Sequence, residues 1–107
     1  MGVDRTDYLM FGVKVDPDRV SERYEELEPM MDGAPGAAFD LVYDGMSGKY
    51  AVAGKIIAKS DEYDGLEFTE ITDAMLPSDP DKLRADIAAT FGEPADKLRL
   101  FLFSHYA

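Results

Sequence analysis

The side chains best suited to chemistry in this chain are carboxylates. Asp18, Glu22, Glu25 and Glu26 fall on one side of a helical pattern, Glu28 and Asp32 follow, and Asp61, Glu62 and Asp64 crowd a second short stretch. Together they could present a row of charge resembling a phosphate backbone, and a protein built that way would occupy the basic groove of a nuclease, repressor or other nucleic-acid protein. Glu22 and Glu26 are like charges at i, i+4, which costs a helix about 0.2–0.5 kcal/mol. Arg19 and Arg23 offset part of this from the flank. Asp61, Asp64 and Glu67 surround a turn at Gly65 and offer the oxygen ligands that hard cations prefer. Their spacing does not follow the alternate-position pattern of the twelve-residue calcium loop, so a solvated turn and no metal site is the expectation.

The other reactive candidates are isolated. His105 is the only histidine, and a general base needs a partner that orients its ring. Ser104 and Tyr106 are its neighbours, but adjacent strand residues point to opposite faces, so Ser104 cannot serve it as a nucleophile. Asp40, Tyr43 and Asp44 could join His105 in a pocket at a sheet edge. The chain has no glycine-rich dinucleotide or phosphate loop, no G-x-S-x-G and no H-E-x-x-H. No catalytic residue and no cofactor is therefore assigned.

Bulk composition narrows the partners. Twenty-two acidic residues against eleven basic ones give a net charge of −11 in 107 residues, with no cysteine. That field opposes DNA, RNA and anionic lipid, since phosphate binding draws on basic side chains. Direct nucleic-acid binding and membrane binding are not expected, and basic partners are favoured. No apolar run approaches the roughly 18 residues of a membrane span, and a cytoplasmic location is the default expectation. One domain over residues 1–107 is expected, with residues 1–6 flexible.

The elements that must position these groups can be read from periodicity and caps. Residues 8–15 alternate as a strand, with Leu9, Phe11, Val13 and Val15 on one face and Tyr8, Met10, Gly12 and Lys14 on the other. Asp16-Pro17 is a helix cap followed by proline at the first helical position. Val20, Tyr24 and Leu27 then form an apolar stripe, and Pro29 ends the helix at Glu28. Residues 39–44 and 49–59 form a hairpin, with Gly54 marking a bulge or a close neighbour. Residues 66–72 predict a further strand. Asp79-Pro80 opens a second helix carrying Leu83, Ile87 and Phe91, which Gly92 and Pro94 end, and residues 97–105 form the last strand.

The order β-α-β-β-(β)-α-β predicts an α+β two-layer, ferredoxin-like sandwich, with two helices on one face of a mostly antiparallel sheet of four or five strands. If Leu98, Leu100 and Leu102 turn toward the helices, Tyr8, Met10, Arg99, Phe101 and Phe103 occupy the opposite face. Apolar residues contiguous on an uncovered face mark an interaction surface, unless a loop from residues 30–38 or 60–80 folds across them. The reading is a non-enzymatic protein-binding or regulatory module, contacting a protein partner or its own copy as a homodimer through that face or the acidic helix. The alternatives are an acidic, phage-type inhibitor that mimics nucleic acid, and a small enzyme or ligand-binding domain with a pocket at the sheet edge.

Overall fold

Both aspartate–proline pairs start helices as their chemistry requires. The Asp16 carboxylate accepts from the Asp18 N–H at 2.9 Å and that of Asp79 from the Lys82 N–H at 3.1 Å. In the computed structural model, which describes residues 5–60, 65–92 and 97–106, the strands are β1 (Arg5–Lys14), β2 (Asp40–Tyr43), β3 (Ala51–Lys59) and β4 (Arg99–Tyr106). The helices are α1 (Pro17–Glu22), α2 (Tyr24–Leu27) and α3 (Pro80–Phe91), the last ending on the left-handed Gly92. The strands form one antiparallel sheet in the order β2-β3-β1-β4, the ferredoxin-like arrangement, with the helices on one side. Among the described residues no helix is long and apolar enough to cross a membrane.

The helix-side core joins Val13, Leu41, Ala51 and Ala53 of the sheet to Val20, Leu27, Leu83, Ile87 and Phe91 of the helices. Several expectations change here. The first helix breaks at Arg23, which leaves helical geometry (φ −116, ψ 28) and bonds the Glu26 carboxylate and the Thr90 carbonyl. Arg19 likewise donates to the Phe91 carbonyl at 2.8 Å. Two cations thus meet the C-terminus of α3, where the helix dipole favours them. The break takes Tyr24 out of the apolar stripe: Val20 and Leu27 are buried, whereas Tyr24 is exposed and tilts against the Tyr43 ring. Arg5 and Thr6, expected to be flexible, are paired in β1 opposite Tyr106 and His105; residues 1–4 lie outside the described residues. Residues 66–72 form no strand, so the sheet has four strands rather than five.

The sheet is far from flat. Gly12 and Gly54 face each other across β1 and β3. A Cβ on Gly12 would overlap the Ala53 carbonyl, and one on Gly54 the Phe11 carbonyl. The backbones approach so closely that only hydrogen fits. Two residues on, the register shifts between Leu9 and Met10, where β3 carries one extra residue. A bulge of this kind bends its strand and increases local twist. The Asp40 carboxylate accepts from the Ile56 N–H at 2.9 Å, extending the ladder past the end of β2.

The consequence is visible at the sheet corners. Tyr50 precedes β3 where Val15 bonds Ala51, whereas His105 pairs with Thr6 at the other end of β1. A straight strand would separate those ends by about 30 Å. Yet the Tyr50 hydroxyl and His105 Nδ1 share a hydrogen bond of 2.9 Å. The sheet therefore coils until opposite corners meet on its helix-free side. Gly54→Ala should lower stability by about 3 kcal/mol in urea unfolding, as overpacking against rigid backbone does. Gly45→Ala, whose Cβ meets only ordinary contact with the Tyr43 ring, should leave the midpoint nearly unchanged.

Candidate functional site

Coiling decides which apolar residues are sealed and which are offered to solvent. On the helix-free side Tyr8, Met10, Val42 and Val52 are buried, packed with Tyr50, Ile56, Phe101 and Phe103. Tyr8 stacks on Phe103 with ring centroids 5.6 Å apart, and His105 stands edge-on to Tyr8 and Tyr50. Gly33 comes up against the Ile56 side chain, so the loop after α2 also borders this cluster. Burial pushes the Tyr8 hydroxyl up to about 12, and the charges of Asp32 and Asp40 add to that. Burial raises Tyr50 as well, with Asp44 contributing.

The surface expected from Tyr8, Met10, Arg99, Phe101 and Phe103 thus divides. Tyr8 and Met10 are buried, Phe101 and Phe103 are half-buried and only Arg99 is exposed. Their phenylalanines do lie opposite the helices, as the alternation requires. The leucines of β4 do not behave as expected. Leu98 packs half-buried against the helix-side core, but Leu100 is 55% and Leu102 is 72% exposed. They occupy the helix-side face, beside Phe11 and Leu9 of β1. However, the helix-side core draws its α3 residues together with β3, β2 and the start of the chain's first helix, and does not include them.

The strand that carries these leucines is an edge. Val15 donates to the Ala51 carbonyl and Ser60 to the Asp7 carbonyl, so odd-numbered β1 residues direct their backbone groups to β3. Even-numbered ones therefore bond β4, where their partners are Arg99, Phe101, Phe103 and His105. The N–H and C=O groups of Leu100, Leu102 and Ser104 are left pointing outward. Tyr50 O–H reaches the Ser104 carbonyl at 3.4 Å, which leaves Leu100 and Leu102 as the open stretch. An edge that is both open and apolar is a template for a further strand.

The remaining polar candidates hold the scaffold together. Asp44 accepts from the Met46, Ser47 and Lys49 backbone N–H groups and from the Ser47 hydroxyl at 2.7 Å. Those bonds hold its carboxyl at about 2. Asp7, bonded by the Ser104 hydroxyl at 2.6 Å and then by Arg5, is also lowered. Ser104 and His105 accordingly lie on opposite faces. A pocket of about 330 Å³ does sit at the β2–β3 edge, lined by Asp40, Lys55, Asp79, Lys82 and Asp86 among others. Of its polar groups Asp40 caps Ile56, Asp79 caps α3 and Lys82 pairs with Asp86 at 2.8 Å. His105, Tyr43 and Asp44 do not line it. Among the described residues no three metal-ligating side chains cluster.

The acidic row is partly visible. Asp18, Glu22, Glu25, Glu26, Glu28 and Asp32 are all exposed, whereas Asp61, Glu62 and Asp64 lie outside the described residues. Glu26 is paired with Arg23 at 2.8 Å and held below the usual carboxylate range by that hydrogen bond. No family model, no characterised protein and no solved structure matches this chain.

Asp44 makes a measurable pH signature. Its folded pKa lies below the ordinary aspartate value of 3.8, so the stability it contributes is complete above about pH 4 and lost as pH falls toward 2. Thermal melting across that window should fall more steeply for the wild type than for Asp44→Asn, which should already be less stable at neutral pH.

Proposed function

We propose that this domain is a non-enzymatic protein-binding module whose contact strand is β4. One observation carries the reading: Leu100 and Leu102 are large, exposed and adjacent on the open edge of the sheet. Burying two leucines is worth about 1.5–3 kcal/mol each. A partner strand would in addition satisfy the outward amides, as in recognition by strand addition. The contact surface differs from the phenylalanine face that alternation alone suggests, because that face is largely packed on itself.

The experiment is site-directed photo-crosslinking. A benzophenone side chain at position 102 should give one discrete adduct in the cells that make the protein. The same group at position 46, an exposed methionine in the hairpin turn, should give none. The absence of any adduct at position 102 overturns the reading. Leu102→Glu should abolish the interaction while changing stability by less than about 0.5 kcal/mol, the usual range for a surface site. Phe101→Glu, by contrast, should destabilise the fold.

A second reading has its own support. Arg19 and Arg23 reach the end of α3, where Arg23 also pairs with Glu26, and Asp18, Glu22, Glu25, Glu28 and Asp32 are exposed. That favours capture of a basic protein, with nucleic-acid mimicry as its use. Binding of that kind should weaken steeply with salt. The double variant Glu22→Lys, Glu25→Lys should lose it, measured by calorimetry at two salt concentrations, and unchanged affinity contradicts it.

A further inference from the structure

Residues 66–72, Leu-Glu-Phe-Thr-Glu-Ile-Thr, have a strand's composition and no strand's partner. Phenylalanine, isoleucine and threonine favour extended, pleated backbone, yet this stretch forms no regular structure and leaves Leu66, Phe68 and Ile71 exposed, Phe68 completely. Elsewhere in the same chain, β4 is a strand edge with outward backbone groups and two exposed leucines. One feature lacks a sheet and the other lacks a strand.

The charges also correspond. In a chain of net charge −11, residues 97–106 contain Lys97 and Arg99 and no acidic residue, whereas residues 66–72 contain Glu67 and Glu70 and no basic one. Within its own chain the segment forms no strand beside β4. It leaves from Ser60, which bonds Asp7 of β1, and its far end, Pro77 to Asp79, lines the pocket with Phe39, Gly54 and Lys55 on the β2–β3 side.

We infer that residues 66–72 of one copy add as a fifth strand to β4 of a second copy, reciprocally, making a two-fold dimer. This rests on the reading of β4 as the contact strand and names its partner. Antiparallel addition with Leu66 opposite Leu102 and Phe68 opposite Leu100 satisfies the outward amides of both leucines and joins four apolar side chains on the helix-side face. The same register sets Glu67 diagonal to Arg99 on the other face, within reach of long side chains. Two equivalent contacts form per dimer, so the surface closes on itself instead of propagating.

The test uses the whole chain in analytical ultracentrifugation. The wild type should sediment at twice the chain mass, and Phe68→Asp and Leu102→Glu should each weaken dimerisation at least tenfold, with melting unchanged at dilutions where all three are monomers. The chain has no cysteine, so disulfides can be placed without background. Thr69 and Arg99 would form a non-hydrogen-bonded cross-strand pair, whose Cα separation of about 4.5 Å suits a disulfide. Mixing the single variants Thr69→Cys and Arg99→Cys under mild oxidation should therefore give a linked heterodimer.

A wild type that remains monomeric at high concentration overturns the inference, as does an intrachain disulfide when Thr69→Cys and Arg99→Cys are combined in one chain. A dimer lost in Leu102→Glu but kept in Phe68→Asp removes residues 66–72 as the occupant while leaving β4 as the contact strand. A dimer kept in Leu102→Glu removes the inference whatever Phe68→Asp does. A wild-type monomer whose position 102 still crosslinks another protein leaves the binding-module reading standing without self-association.

Discussion

The contact between Gly12 and Gly54 sets the shape of everything else. A sheet coils sharply only where neighbouring strands can close on one another, and here any side chain at either position would strike a carbonyl of the opposite strand. The bulge two residues further adds twist in the same region. Together they let the turn before β3 reach the end of β4. Tyr50 and His105 close that gap with a hydrogen bond, and Tyr8, Phe103 and Met10 are enclosed beneath them. The lone histidine is thus a structural clasp, satisfied by a phenol.

The same geometry exposes β4. A coiled sheet turned in upon its helix-free side hides the aromatic residues there, and the helix-side surface at the far edge is left uncovered. α1 is only six residues long and α2 four, because Arg23 leaves the helix to meet the end of α3. The helical layer is therefore small for four strands, and Leu100 and Leu102 lie beyond it. The contact strand proposed above lies where this mismatch between layers leaves the sheet uncovered.

Much of the architecture was legible in residues. Asp16-Pro17, Asp79-Pro80 and Gly92 marked helix ends by local chemistry, which tertiary packing does not override. Strand alternation placed Phe101 and Phe103 opposite the helices. What escaped sequence reasoning was set at a distance. Gly54 signalled a close approach, but its meaning depends on Gly12, and that pairing needs the register of β1 on β3. Leu102 reads as a core residue by periodicity, since alternation gives the face of a strand and says nothing about whether a helix covers it. Residues 66–72 read as a strand on composition, yet they form none and no strand of the sheet pairs with them.

The most direct test is a nuclear Overhauser spectrum of the dilute protein. His105 is the only histidine, so its ring protons are identified without ambiguity. Cross-peaks from them to the rings of both Tyr50 and Tyr8 show that the corners of the sheet meet. If the histidine shows contacts only to residues near it on β1 and β4, and Tyr50 shows none, the sheet is open. The aromatic face, not the leucine edge, would then be the exposed surface.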